Sequence, residues 1–75
     1  MKTNKNDKEI LMKIGDNIRK YRNIKGWSQE DLALECDLHR TYIGSVERGE
    51  RNITILNLLK ITEKLEVRLE NLYSE

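Results

Sequence analysis

Apolar residues recur at intervals of three and four along most of this chain, which is the spacing of an amphipathic α-helix. No stretch alternates apolar and polar residues over a useful length, so the pattern predicts no β-strand. The first six residues are polar and rich in Lys and Asn, and we expect them to form a loose arm. The remainder predicts a compact all-α domain of five helices, at residues 7–25, 29–35, 40–48, 55–64 and 68–74.

Residues at the predicted helix ends support these boundaries. Gly26 and Gly49 follow the first and third helices, at the position where a glycine commonly ends a helix. Ser28 and Asp31 have the spacing of a capping box, in which each side chain hydrogen-bonds to the backbone of the other residue at the start of the second helix. His39 occupies the expected N-cap of the third helix.

The second and third helices are short and are joined by a short turn. The residues of this pair that we expect to face the core are Leu32, Ala33, Cys36, Ile43 and Val46. The outward residues of the third helix, which have side chains able to read or grip DNA, are Arg40, Thr41, Tyr42, Ser45 and Arg48. Residues 28–49 therefore have the pattern of a helix-turn-helix, a motif whose second helix enters the major groove of DNA.

A chain of 75 residues makes one small domain, which buries only about 60% of the surface that its unfolded chain exposes. Cys36 is the single cysteine, so no disulfide within the chain adds stability, and we interpret it as a buried, reduced thiol. The segment 54–74 carries more apolar residues than one short core needs, which favours a dimer over an entirely internal core. The candidates for a dimer interface are Ile53, Leu69, Leu72 and Tyr73.

The sequence contains none of the common motifs of catalytic or metal-binding sites. The sequence has no Ser/His/Asp set, no glycine-rich phosphate loop and no His or Cys cluster at ligand spacing, so we expect no catalysis, no metal and no other cofactor. So small a domain suggests no pocket for a small-molecule ligand. Without a signal peptide or a long apolar run, we expect a cytoplasmic, nucleoid-associated protein that does not enter a membrane.

Charge is distributed unevenly along the chain. The formal net charge is +1, but residues 1–26 hold eight Lys or Arg against three acidic residues, whereas residues 27–52 hold three Arg against six acidic residues. A non-specific nucleic-acid binder is usually basic throughout. A protein that reads sequence can be nearly neutral and place a few basic residues at its contact surface, so the charge is weak evidence in either direction.

The chain resembles the Cro- and lambda-repressor-like (XRE) helix-turn-helix family. The resemblance covers residues 14–73, and its carriers are Ile18, Arg22 and the segments 26–33, 41–49 and 52–54. Within the family, the run LHRTYIGSVERGERN at residues 38–52 is most similar to the controller proteins of restriction–modification systems. The resemblance implies a five-helix, lambda-repressor-like DNA-binding domain that acts on a palindromic operator as a homodimer and regulates transcription.

The way this family docks on DNA implies a set of contact residues. Arg40, Thr41 and Ser45 would face base edges, and the fork of the Arg40 guanidinium suits a bidentate contact with guanine. The residues implied at the phosphate backbone are Gln29, His39, Tyr42, Arg48, Arg51 and Asn52. Backbone contacts position a protein on DNA, whereas base contacts specify the sequence.

Some of these positions have structural alternatives. His39 could serve as a helix cap alone, and Tyr42 could pack against the first helix instead of meeting a phosphate. The family also pairs an arginine with a glutamate at the positions of Arg22 and Glu47, and we interpret that ion pair as structural. Asp37 stands in the turn where the family commonly has glycine, which requires an Asp in the left-handed conformation.

Two hypotheses for function follow. The favoured one is a DNA-binding regulator, with the DNA operator and a second copy of the chain as partners, and with RNA polymerase as a further partner if the protein activates transcription. The alternative is an antitoxin-type or other small XRE repressor whose main partner is a protein. Its support is the acidic middle of the chain and the apolar C-terminal segment, but a segment that wraps a toxin normally needs an additional tail.

Overall fold

Four α-helices and one 3₁₀ turn make up the part of the chain that the structure describes. The structure is a computed structural model that describes residues 5–74, with side chains from residue 6 onward. The elements are α1 (Lys5–Ile24), α2 (Gln29–Cys36), α3 (Arg40–Glu47), α4 (Ile55–Leu65) and the 3₁₀ turn (Leu69–Leu72). Over residues 5–74 the chain forms no strand, so the predicted all-α fold is confirmed there.

Two predicted boundaries differ from the structure. Helix α1 begins at Lys5, so residues 5 and 6 belong to a helix and not to the expected arm, whose first four residues lie outside the described part of the chain. The predicted fifth helix is a single 3₁₀ turn. The physical reason is that α4 ends at Leu65, Glu66 is left-handed (φ 60°) and Arg68 is extended (ψ 154°), so the helical conformation resumes only for the single turn that follows. The side chain of Asn71 closes that turn by accepting the Arg68 N–H at 2.9 Å.

The predicted helix caps are present. Ser28 Oγ accepts the Asp31 N–H at 3.0 Å, and the Asp31 carboxylate accepts the Ser28 N–H at 2.9 Å, so the capping box of α2 is confirmed. His39 Nδ1 accepts the Thr41 N–H at 3.2 Å and caps α3. These side chains satisfy backbone donors that have no partner inside the helix. The two helices of the motif therefore start at positions fixed by their own sequence.

Left-handed residues end the helices. Asp37 has φ 56° after α2, as expected from its place in the turn, and Gly49 has φ 73° after α3. Glu66 also has a positive φ, of 60°, after α4, where a glycine would carry less strain. Its carboxylate pairs with the Lys25 ammonium, which holds the pKa of Glu66 below its ordinary value. That ion pair ties the end of α1 to the end of α4.

The core lies where α1 to α4 meet. Its buried hydrophobic residues are Ile18, Leu32, Ala33, Cys36, Ile43, Val46, Ile61, Leu65 and Leu72. The predicted inward faces of the motif helices are therefore confirmed. Burial raises the pKa of the Cys36 thiol to about 11, in keeping with the predicted reduced, buried cysteine. Leu72 was predicted at a dimer interface, and that prediction is wrong, because its side chain is 1% exposed and packs inside its own chain.

The C-terminal turn is held against α1 by Asn17. The Asn17 amide donates to the Leu72 carbonyl at 2.8 Å and to the Ser74 carbonyl at 2.9 Å. The turn has too few residues to hold itself as a helix, so these hydrogen bonds and the buried Leu72 side chain are what fix its place. Leu69 and Tyr73 consequently remain on the surface.

Helices α1 and α3 approach each other closely at Gly15. A Cβ atom added there would lie 2.5 Å from the carbonyl oxygens of both Val46 and Glu47. At Gly49 an added Cβ would lie 2.7 Å from Met12 Cγ, and the Gly49 carbonyl accepts from Lys8 Nζ at 3.2 Å. The C-terminal end of α3 therefore rests on the backbone of α1 with no side chain between them.

We expect Gly15→Ala to destabilise the protein by about 2 kcal/mol or more, because the new methyl group would push α3 away from α1. In an unobstructed helix the same change would stabilise by about 1 kcal/mol. Urea denaturation followed by circular dichroism measures the effect. Gly26→Ala is the control, since an added Cβ there meets open space and costs only the left-handed strain of about 1 kcal/mol. A Gly15→Ala protein as stable as the parent would contradict the close approach.

Candidate nucleic-acid interface

The first turn of α3 presents the residues predicted to read bases. Arg40 is the first residue of α3, and Arg40 and Thr41 are both exposed. Among residues 5–74, no side chain pairs with the Arg40 guanidinium, so all of its donors are available. A guanidinium that is unpaired in the free protein can form a bidentate contact without first breaking an internal ion pair.

Ser45 lies one turn further along α3 and is half-buried. Its hydroxyl donates to the Tyr42 carbonyl at 2.8 Å. In this conformation the oxygen offers only its lone pairs to a ligand, so Ser45 could accept from the amino group of adenine or cytosine. Its part in base recognition stays a prediction.

Tyr42 is half-buried and packs against the core, and its packing against the first helix stays a prediction. Its phenol oxygen accepts from Asn57 Nδ2 at 3.0 Å, and the Arg51 guanidinium lies over its ring, 5.1 Å from the centroid. The ring is therefore held from α4 and from the loop before α4. The same contacts place the Arg51 charge beside the first turn of α3, where the sequence predicts a phosphate.

The Glu47 carboxylate joins three elements of the fold. Its side chain is fully buried and accepts from Arg22 twice, with Nε 2.7 Å from Oε2 and Nη2 2.9 Å from Oε1. Gln29 Nε2 donates to the same Oε1 at 3.1 Å. Arg19 Nε lies 3.5 Å from that oxygen, and Arg19 Nη2 donates to the Glu47 carbonyl at 3.3 Å. These four residues are named the Glu47 cluster.

The predicted ion pair between Arg22 and Glu47 is present in this cluster. The hydrogen bonds that Arg22 donates to Glu47 raise the pKa of Arg22, because they favour the charged guanidinium more than burial opposes it. Arg22 Nη1 also donates to the Trp27 carbonyl at 2.9 Å. The ion pair thus fixes the connection between α1 and α2 as well as the end of α3.

Gln29, predicted at a phosphate, begins α2 and is half-buried within the Glu47 cluster. Its side-chain Oε1 lies close to Gly44, where an added Cβ would be 3.3 Å from that oxygen and 3.2 Å from Arg48 Nη1. The missing side chain at Gly44 therefore leaves space on the surface of α3 for the side chains of Gln29 and Arg48. The Gln29 amide is oriented before any ligand arrives.

The remaining predicted phosphate residues lie before and after α3. Arg48 follows α3 and pairs with Glu50, with Nε 3.1 Å from Oε1, while both side chains stay exposed. Asn52 is exposed in the loop before α4. His39 is exposed and uses Nδ1 as the cap of α3, so only its Nε2 remains for a ligand. None of these contacts tests a role in DNA binding.

The predicted interface residues divide into three groups. Leu72 is in the core, Ile53 is half-buried against it, and Leu69 and Tyr73 are exposed by 41% and 54%. The excess of apolar residues in segment 54–74 pointed to an exposed apolar face, but the candidates named from the sequence left out its members in the first turns of α4. These are Ile55, Leu56 and Leu59.

Sequence reasoning also missed three residues that shape the site from within. Arg19 was given no role from the sequence, whereas its guanidinium reaches Glu47. Asn57 carried no recognisable signal, because a polar residue in the first turn of a helix is common. Gly15 did carry one, since a glycine inside a helical pattern often marks a close backbone approach.

Other kinds of site find no support in the described part of the chain. Residues 5–74 contain no group of three His, Cys, Asp or Glu side chains able to hold a metal. No helix among them is both long and apolar enough to cross a membrane.

Comparison with known proteins identifies the family. A helix-turn-helix family model matches residues 18–72, and the chain belongs to that family. It is therefore a DNA-binding transcriptional regulator and not an enzyme. Control protein C.SmaI of Serratia marcescens is 51% identical over 65 residues, which cover 87% of this chain and 74% of that protein.

Solved structures give the same result. The restriction–modification controller protein C.AhdI of Aeromonas hydrophila has a TM-score of 0.81 and 43% identity, and the match covers 84% of this chain and 96% of that one. The biofilm regulator SinR, solved in complex with DNA, has a TM-score of 0.77 and 34% identity, with 81% and 98% covered. The resemblance seen in the sequence is thereby confirmed.

We expect Arg22→Met to cost about 3 kcal/mol of unfolding free energy, because it leaves the Glu47 carboxylate buried without its main partner. The double variant Arg22→Met/Glu47→Met should lose less than the single one, since no buried charge remains. Urea denaturation at neutral pH compares them, with Lys20→Met on the exposed face of α1 as a control within about 0.5 kcal/mol of the parent. Equal losses in the single and double variants would contradict a stranded charge.

Proposed function

We propose that this protein is the controller of a restriction–modification system and that it binds a palindromic operator as a homodimer with α3 in the major groove. The observation that carries the proposal is that α3 is held rigidly on one side and exposed at its start. Its inner side is fixed by the core and the Glu47 cluster, while Arg40 and Thr41 stand exposed at its start. A rigid helix with exposed donors at its N-terminal end is what a helix-turn-helix inserts into DNA.

Base recognition falls to three side chains in this proposal. Arg40 donates to O6 and N7 of a guanine, and Thr41 offers a hydroxyl and a methyl group that suit a phosphate, a base or the methyl of thymine. Ser45 accepts from a base amino group, because its own hydrogen is used within α3. Each good bidentate contact is worth about 1–3 kcal/mol of discrimination against the wrong base.

Phosphate contacts flank these residues on both sides. Gln29 stands at the start of α2, where backbone N–H groups and the helix dipole also favour an anion. The further phosphate residues are Arg48, Arg51 and Asn52, with the Arg51 guanidinium over the ring of Tyr42. His39 would add a contact through Nε2. With a net charge of only +1, the protein depends on these few placed contacts more than on general attraction to DNA.

A second copy of the chain covers the exposed face of α4 in this proposal. Ile55, Leu56 and Leu59 lie on one side of α4, and Leu69 and Tyr73 add to the apolar surface of the C-terminal region. A domain of this size gains much of its missing buried area from such a contact. A two-fold dimer sets its recognition helices about 34 Å apart, one turn of B-DNA, which makes the operator an inverted repeat.

The relatives support the biological role. C.AhdI is named as a restriction–modification controller protein and C.SmaI as a control protein, and the likeness spans most of each chain. We therefore place this protein beside the genes of an endonuclease and a methyltransferase, in the cytoplasm, with RNA polymerase as a further partner if it activates them. Selection of bound sequences from random DNA, followed by a gel shift, tests the operator and its symmetry. A toxin gene beside the coding sequence would favour the antitoxin alternative.

Substitutions of two arginines should separate base reading from backbone contact. Arg40→Ala should relax the preference at one base pair in each half-site, because the bidentate contact is lost. Arg51→Ala should weaken binding to all sequences alike and reduce the slope of log K against log salt by about one. Titrations of the operator and of single-base variants at several salt concentrations measure both effects. A selective change of base preference in Arg51→Ala would contradict these roles.

Leu59→Glu should convert the dimer into a monomer and weaken binding to a two-half-site operator much more than to an isolated half-site. A charge on the covered face of α4 would be buried without a partner in the dimer. Sedimentation equilibrium at micromolar concentration measures the change. Leu34→Glu is a matched control for self-association, because Leu34 is 76% exposed on α2 and is not part of the proposed interface. A parent protein that is monomeric, yet binds its operator fully, would contradict the proposed dimer.

A further inference from the structure

Asn57 links α4 to the recognition helix through one hydrogen bond. It lies in the first turn of α4, where Thr54 Oγ1 accepts its backbone N–H at 3.2 Å. Its side-chain Nδ2 donates to the phenol oxygen of Tyr42 at 3.0 Å. Both residues are half-buried, so the hydrogen bond is only partly shared with water.

This hydrogen bond determines what the Tyr42 hydroxyl can still do. A phenol oxygen has one hydrogen to donate and accepts through its lone pairs. Because the oxygen accepts from Asn57, the phenol hydrogen must point elsewhere, and among residues 5–74 no group accepts it. The Arg51 guanidinium over the ring can only donate, so it does not take the hydrogen either.

A phosphate oxygen is a suitable acceptor for that hydrogen. It only accepts, and it would lie next to the positive charge of Arg51. Donation from Asn57 also polarises the phenol and strengthens it as a donor, since hydrogen bonds in a chain reinforce each other. A bound phosphate would thus complete a chain of hydrogen bonds from the Asn57 amide through the Tyr42 phenol to the phosphate, with Arg51 alongside.

We propose that Asn57 is a positioning residue that fixes the Tyr42 hydroxyl as a hydrogen-bond donor to a DNA phosphate. The inference rests on the proposed function, in which Tyr42 lies at the backbone. Asn57 itself does not touch DNA, and it acts only through Tyr42. It stands between Leu56 and Leu59, so the turn of α4 that meets the second copy also orients a DNA contact on α3.

The polarity of the side chain at position 57 distinguishes this role from simple packing. Asn57→Ala removes the hydrogen bond, so the hydroxyl hydrogen of Tyr42 is no longer held in one orientation. Asn57→Asp has nearly the same shape but accepts instead of donating, so it would take the phenol hydrogen and place a negative charge near the phosphate. Binding should therefore fall in the order parent, Asn57→Ala, Asn57→Asp.

A double-mutant cycle with Tyr42→Phe tests the proposal. Dissociation constants for the selected operator are measured by fluorescence anisotropy at one salt concentration, together with unfolding in urea to show that each variant is folded. We expect Tyr42→Phe to weaken binding about tenfold and Asn57→Ala about fivefold, as for loss of a hydrogen bond to a charged group. In the Tyr42→Phe background, Asn57→Ala should cause no further loss.

Thr54→Ala is the matched control, because it removes the cap of α4 and leaves the phenol contact in place. It should lower stability and leave the affinity of the folded protein unchanged. Equal losses from Asn57→Ala in the parent and in the Tyr42→Phe background would overturn the positioning role, as would an Asn57→Asp protein that binds as tightly as Asn57→Ala.

The failure of this inference differs from the failure of the proposed function. If Tyr42→Phe weakens binding and Asn57→Ala in the parent does not, the role of Asn57 is overturned and the phosphate contact stands. If Tyr42→Phe binds the operator as tightly as the parent, both the phosphate role of Tyr42 and the inference are overturned. A coupling that appears in stability alone, without one in DNA affinity, also overturns it.

Discussion

The burial of one carboxylate, that of Glu47, constrains the whole domain. A charge without access to water is tolerated only when cations and donors surround it, and here they come from α1 and α2, while Glu47 itself ends α3. The three helices therefore cannot shift independently without stranding that charge. Hydrophobic contacts hold the core together, but they are not directional. The hydrogen bonds of the Glu47 cluster are directional, and they fix the orientation of α3 relative to α1 and α2.

Local chemistry was readable from the sequence. The capping box at Ser28, the cap at His39 and the left-handed Asp37 each depend on residues within a few positions of one another, so their patterns predicted them correctly. The Arg22–Glu47 pair was recognised only because the family shows it, since nothing in a single sequence joins positions 25 residues apart. The contact residues on DNA remain predictions of the same kind.

The spacing of apolar residues did not predict which of them are buried within their own chain, because that depends on what packs against each apolar face. Leu69 and Leu72 have helical spacing, yet one is exposed and the other belongs to the core. A pattern shows that a side chain avoids water, and it does not show whether its own chain or a second copy covers it. The same gap explains why Ile55 and Leu56 were not named among the interface candidates. Asn57 was missed for a different reason, because a single long-range hydrogen bond leaves no periodic trace.

The contact between Gly15 and the last carbonyl groups of α3 has a consequence for how such a protein can change its target. The recognition helix is seated by main-chain atoms and by residues on its inner side, and Arg40 and Thr41 take no part in that seating. Substituting those two side chains should leave the pose of α3 almost untouched. The residues that hold α3 in place are therefore different from the exposed residues that contact bases. Substitutions at the exposed positions can change the preferred operator without changing the fold.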